Sequence, residues 1–314
     1  MTILQKIKEK KVTGLLTRAA VFILIIFALD FVIGRVLYQL YYRQQSGILY
    51  RSTYAMDSTN ADLLIFGAST ATHHYYPPKM ESALGMSYYN VGQDGQSMFY
   101  HYSVLKSILK RYIPKVVVLD FNAREFVKNE ESYDRLSALL PYYADHPEIE
   151  PIVDLKGPYE KYKMLSKIYP FNSIIFTIGI GNTDLNKTRR NNDDIKGYVP
   201  LKRVWTKALA PLDLNYDVDE NKVKYFTLFV EDCIKAGVKL YVIVSPRFIR
   251  FTSRDTSLQL AQKITASHNI PFYDFSDDSY FLSRPELFAD LSHLNKKGSI
   301  LYTEKIIDSV FTKN

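Results

Sequence analysis

Cysteine is almost missing from this chain: Cys233 stands alone among 314 residues. No internal disulfide can form, and no Cys-x-x-Cys or Cys/His metal spacing exists. Cysteine usage therefore leaves the compartment open. A Gly-x-Ser-x-Gly elbow is also lacking, which argues against the α/β-hydrolase fold. No Gly-rich phosphate loop occurs, and no repeat or low-complexity tract. The only adjacent histidines, His73 and His74, cannot both face one point on a helix, so no metal site is expected there. Neither a metal nor an organic cofactor is implied.

Charge and tyrosine are what the chain has in excess. The net charge is +7, and much of it lies at the amino end, where Lys6, Lys8, Lys10 and Lys11 precede the apolar run Val12 to Gly34. A span over about 12–34 keeps Arg18 and Asp30 near its two ends, whereas a later window would bury Asp30 and Arg35 at roughly 2.5–3.5 kcal/mol each. Arg35 then flanks the span, and Tyr38, Tyr41 and Tyr42 form an aromatic belt. The run passes into Gly34-Arg35-Val36 rather than a small-residue cleavage site, so it reads as an uncleaved anchor and not a signal peptide. The lysines predict a cytoplasmic amino end with the rest of the chain on the far side of the cytoplasmic membrane, as a single-pass protein. The positive charge is thus a topology signal, and no nucleic-acid partner is expected. The 25 tyrosines suit membrane interfaces and carbohydrate-lined clefts, with ordinary packing the simpler role for most.

Beyond residues 1–42, residues 43–60 read as a polar stalk, and 61–314 as one α/β domain. Its strands are expected at Leu63–Phe66, Ser87–Val91, Lys115–Phe121, Lys239–Val244 and Ile270–Asp274. Helices are expected at Pro77–Leu84, Ser97–Tyr112, Glu220–Ala236, Thr256–His268 and Lys296–Phe311. Continuous apolar strands alternating with helices predict a parallel sheet covered on both faces, a three-layer α/β/α domain. The pattern breaks over about 124–219, which reads as a helical insertion over the sheet's carboxyl edge. Tyr142, Tyr143, Tyr159 and Tyr162 in it are candidates for a carbohydrate platform, a packing role being equally compatible.

Two segments carry the chemistry. Phe66-Gly67-Ala68-Ser69 ends the first strand, where open α/β sheets keep their sites. Asp290-Leu291-Ser292-His293-Leu294-Asn295 precedes the last helix. A serine hydroxyl needs a base to accept its proton and a third group to orient that base. Ser69, His293 and Asp290 are those residue types.

The order of four segments resembles the SGNH (GDSL-type) hydrolase superfamily. Gly67-Ala68-Ser69-Thr70-Ala71 stands where that family has Gly-Asp-Ser-x-Ser, with alanine at 68 and 71. Asn90-Val91-Gly92-Gln93-Asp94-Gly95 matches Asn-x-Gly-x-x-Gly, and Asp120-Phe121-Asn122-Ala123 aligns Asn122 with the asparagine of Gly-x-Asn-Asp. Asp290 to Gly298 matches Asp-x-x-His-Leu-Asn-x-x-Gly. The resemblance implies an SGNH-like, flavodoxin-like sheet and a Ser69–His293–Asp290 triad. Its oxyanion donors would be the Ser69 and Gly92 amides and the Asn122 carboxamide. His73 and His74, one turn after Ser69, are placed to contact substrate. With the anchor, the chain is similar to DltD-type and polysaccharide O-acetylation proteins. That implies a membrane-anchored acyl-ester hydrolase or acyltransferase acting on cell-envelope glycans through an acyl-Ser69 intermediate. An acylated glycan or acyl donor would be its substrate. The alternative is a degenerate SGNH-like scaffold. In either role a membrane-bound O-acyltransferase is the expected partner.

Overall fold

Five short apolar runs pair in parallel to make the sheet on which everything else is built. The computed structural model describes residues 3–183, 194–207, 210–212, 215–251 and 255–312. The strands are β1 (Leu63–Gly67), β2 (Tyr88–Asn90), β3 (Val116–Asp120), β4 (Lys239–Val244) and β5 (Phe272–Asp274). Their order across the sheet is β2-β1-β3-β4-β5, all neighbours parallel. This is the flavodoxin-like order, in which the chain steps out from β1 to β2 and returns to β3 on the far side. The carboxyl ends of β1 and β3 therefore flank the switch point, and Gly67 is in register with Asp120.

Both faces of the sheet are covered, as its unbroken apolar strands require. Leu64, Phe66, Val117, Leu119 and Val242 face one core, built with α5 (Met98–Arg111), α6 (Glu220–Lys235) and α7 (Thr256–Ser267). Leu63, Ile65, Val116, Val118 and Ile243 face the other, closed by α3 (Ser69–His74), α4 (Pro77–Leu84) and α8 (Lys296–Ile306). Cys233 is buried in the first core and is free. The domain is three-layer α/β/α.

At the amino end, α1 runs unbroken from Ile3 to Tyr42 and is long and apolar enough to cross a membrane. Its side chains are exposed from Lys11 to Leu29 and begin to meet protein at Asp30.

Three expectations change here. Residues 43–60 are not a free stalk: Gly47–Asp57 form α2, whose Ser52, Ala55 and Met56 are buried and whose closing carbonyls accept the Arg111 guanidinium. Tyr38, Tyr41 and Tyr42 are not a lipid-facing belt. Tyr41 is buried and donates to Tyr142 at 2.8 Å, Tyr38 donates to Asp145, and Tyr42 to the Pro141 carbonyl. The insertion does not lie simply over the sheet's carboxyl edge. Its short helices from Glu130 to Gly181 pack against α5 and α1. Its later parts return toward the sheet end: the Lys196 carbonyl accepts the Asn90 amide, and 210–212 pair with 249–251 just past β4. Residues 184–193 lie outside the described residues.

Candidate active site

Ser69 is the first residue of α3, two residues past the end of β1, and Ala68 caps the helix without a side-chain bond. The serine hydroxyl is thus left for another partner, and that partner is His293, whose Nε2 lies 2.6 Å from Ser69 Oγ. His293 sits in a tight loop that an Ala289 N–H to His293 carbonyl bond and a Phe288–Leu294 bridge close. Asp290 folds back within this loop. Its Oδ1 accepts the Ser292 amide at 2.8 Å and the His293 amide at 3.0 Å, and both its oxygens meet His293 Nδ1, at 2.9 and 3.0 Å. Asn295, and not Asp290, caps α8, through Oδ1 to the Gly298 amide. Burial would raise the Asp290 carboxyl, but the bonds from His293 and the Ser292 amide hold it below its ordinary range.

This chain of contacts sets the protonation pattern. A carboxylate at Nδ1 keeps the imidazole proton there, so the Nε2 lone pair faces the serine hydroxyl. The arrangement can withdraw the Ser69 proton as oxygen attacks a carbonyl. His293 is 20% exposed and Asp290 38%, so the site is an open rim and not a closed chamber.

The three expected oxyanion donors differ in state. The Ser69 amide opens α3 and has no intrahelical acceptor. The Gly92 amide donates to Asn90 Oδ1 at 2.9 Å, while Asn90 Nδ2 binds the Ala71 carbonyl at 2.7 Å. Glycine is required at 92, since a Cβ would come within 2.8 Å of both Ala71 Cβ and Asn90 Oδ1. Asn122, two residues beyond β3, lies with its Oδ1 2.9 Å from Thr70 Oγ1, and its Nδ2 has no hydrogen bond among the described residues.

His73 and His74 both come near His293, with ring centroids 5.3 and 6.3 Å from its own. His73 retains 7% exposure; its Nδ1 binds the Val199 carbonyl at 2.6 Å, and its Nε2 lies 3.6 Å from Asp94. His74 has no exposed surface and cannot contact substrate as expected. It instead accepts the Leu294 amide on Nε2 at 2.9 Å, bracing the loop that carries His293. Burial and the neighbouring His293 and His73 keep its pKa well below the ordinary value, so it stays a neutral acceptor.

Two charged residues escaped sequence reasoning. Asp120 ends β3 completely buried, accepting from Thr70 and Tyr75 at 2.6 Å each and from Ser245. Arg247, just past β4, is largely buried and donates to Ser292 Oγ at 2.8 Å, holding the Asp290–His293 loop from behind. The available signal was an ionisable residue at the end of an apolar strand. The tyrosine platform is not assembled: Tyr142 and Tyr143 are buried, the latter bonded to Asp154, while Tyr159 and Tyr162 are two-thirds exposed.

No family model matches the chain, and no curated protein matches it. Among solved structures it is similar to an acetyl xylan esterase, AlAXEase, at 14% identity, covering 79% of this chain and 100% of that one with a TM-score of 0.39. It is also similar to a lipase/acylhydrolase from Enterococcus faecalis, at 15% identity over 79% of this chain and 94% of that one with a TM-score of 0.36. A third is the esterase EstA from Pseudoalteromonas sp., at 10% identity, 79% and 96% coverage and a TM-score of 0.37. These likenesses are remote and assign no substrate.

Proposed function

We propose that this chain is a membrane-anchored serine acyl-ester enzyme of the SGNH type. The observation that carries the reading is the unbroken line from Asp290 through His293 to Ser69 Oγ, with the last contact at 2.6 Å. In the first half-reaction Ser69 Oγ attacks the ester carbonyl and its proton passes to His293 Nε2. Asp290 stabilises the imidazolium so formed. The tetrahedral oxyanion is met by the Ser69 amide and the Asn122 carboxamide, with the Gly92 amide joining once it turns from Asn90. Collapse expels the alcohol, which takes the proton from His293, and leaves acyl-Ser69. Water then completes hydrolysis, or a sugar hydroxyl completes transfer.

The long apolar α1 supports a substrate at the cell envelope, and an acylated surface glycan on the far side of the cytoplasmic membrane fits the open rim. For transfer, a membrane-bound O-acyltransferase is the fitting acyl source, docked beside α1. A second reading, an inactive scaffold beside such a partner, draws on Ala68 and on the Gly92 amide already engaged by Asn90.

A fluorophosphonate probe and a small acetyl ester separate the two. Wild type should be labelled at Ser69 and hydrolyse the ester, and Ser69→Ala should abolish labelling. His293→Ala should lower kcat by about 10⁴-fold or more, as loss of a triad base does elsewhere. Labelling that survives Ser69→Ala, or a wild type inert in both assays, would remove the enzymatic reading.

A further inference from the structure

The insertion touches α1 at one definite level. Asp30 accepts Ser166 Oγ at 2.5 Å, the Lys167 amide at 2.7 Å and the Ile168 amide at 3.3 Å. One turn on, Gly34 lies so close to the Lys167 backbone that a Cβ there would sit 2.4 Å from it. The depth of that level follows from helix geometry. Counting from Lys11, residues Val12 to Phe31 make about 20 residues at about 1.5 Å each, which spans the roughly 30 Å hydrocarbon layer. Asp30 and the chain bound to it then stand at the boundary where α1 leaves the bilayer.

The surface of the insertion beside this contact is unusually apolar for one that faces only water. Phe176 is 87% exposed and Leu165 75%. Phe176 and Ile180, four apart on the short helix Ile175–Gly181, share a face, while Ile178 turns inward. Tyr159 and Tyr162, also exposed, add rings with a polar tip, the type enriched where acyl chains meet headgroups. The charge is complementary to an anionic lipid surface. Over Tyr159–Thr183 the charged residues are Lys161, Lys163 and Lys167 against Glu160, which is buried and pairs with Lys163 at 2.6 Å, leaving Lys161 and Lys167 as the net charge. A mostly apolar cleft of about 260 Å³, lined in part by Phe31, Tyr38, Met164 and Phe171, lies in the seam at the same height.

We infer that this face of the insertion, centred on Leu165, Phe176 and Ile180, lies in the headgroup region of the bilayer that α1 crosses. The contact is a second, interfacial one. It gives the domain a second point of attachment beside α1, so that it does not swing on a single tether. The inference rests on α1 being a span, as the proposed function has it.

Cys233 is buried, so single cysteines introduced elsewhere can be labelled selectively. An environment-sensitive fluorophore would be attached in turn at Phe176→Cys, Leu165→Cys, Ile25→Cys and Ile234→Cys in the full chain. The chain would be held in phosphatidylglycerol-containing nanodiscs, with lipids carrying nitroxides near the headgroup or along the acyl chain, or with aqueous iodide. Position 25 should be quenched by the acyl-chain nitroxide, and positions 165 and 176 severalfold more by the headgroup nitroxide than position 234. Position 234 should respond to iodide. Quenching at 25 while 165 and 176 behave like 234 would overturn the interfacial contact and leave the anchor standing; the apolar face would then be open to a protein partner. Iodide quenching at 25 would overturn the anchor and this inference together, while leaving the Ser69 chemistry to its own assays.

Discussion

Asp120 is a buried carboxyl, 2% exposed, whose pKa burial raises to about 6, against the pull of the Ser245, Thr70 and Tyr75 hydroxyls. The unfolded chain ionises this group near 3.8, before the folded one does. Its contribution to stability is therefore complete below about pH 4, declines as pH rises through about 6, and then levels off. Asp120→Asn cannot ionise. Whatever fixed offset the amide introduces, the difference in unfolding free energy between the two proteins, read from denaturant titrations, should move in favour of asparagine from pH 4 to pH 7, by about 2–3 kcal/mol at most. A gap that is flat with pH, or that moves the other way, would refute the raised pKa. Ser69, Asp290 and His293 were legible in the sequence because each depends on local order: a strand end, and a spacing of three within one loop. Asp120 and Arg247 were not. Their importance arises only when the strand order brings the ends of β1, β3 and β4 together, and no single segment encodes that.

At the scale of elements, the serine is aimed by the packing of α3 on the turn after β2. Gly92 touches Ala71, two residues beyond Ser69, and Asn90 ties the Ala71 carbonyl to the same turn. Gly92→Ala should push α3 away from β2, destabilise the domain by about 1–3 kcal/mol as overpacking does, and slow fluorophosphonate labelling of Ser69. A normal labelling rate in a normally melting variant would mean that this contact does not position the serine. The strands could be read from their unbroken apolar runs, and the long helices from periodicity, since each helix carries an apolar face of regular spacing. α2 could not, because its buried side is made of Ser52, Ala55 and Met56, small or isolated residues that do not form an apolar stripe. His74 was misread for a related reason. A histidine near a nucleophile suggests contact with substrate, but here the helix turns its ring inward to brace the base's loop.

The whole molecule is organised by the seam between α1 and the insertion, and there the sequence misleads most. Tyrosines at the end of an apolar helix resemble a lipid belt, yet Tyr41 pairs with Tyr142, 101 positions away, a contact that no local pattern announces. The seam can be opened without touching the sheet's carboxyl ends, where Ser69, Asp290 and His293 lie. Gly34 is the place to do so, because the Cβ of any other residue meets Lys167 backbone, which cannot swing aside as a long side chain can. Gly34→Leu should therefore lift the insertion from α1 and loosen the backbone around the exposed Lys161, Lys163 and Lys167, so that trypsin cuts there severalfold faster in detergent-solubilised full chain. The rate of Ser69 labelling should stay at the wild-type value, because the hydrogen bonds among Ser69, His293 and Asp290 lie on α3 and the loop before α8. Unchanged proteolysis would mean that the seam tolerates the side chain and is looser than its contacts imply. Parallel loss of labelling would mean that the seam and the site form one cooperative unit, so that α1 helps to fold the site.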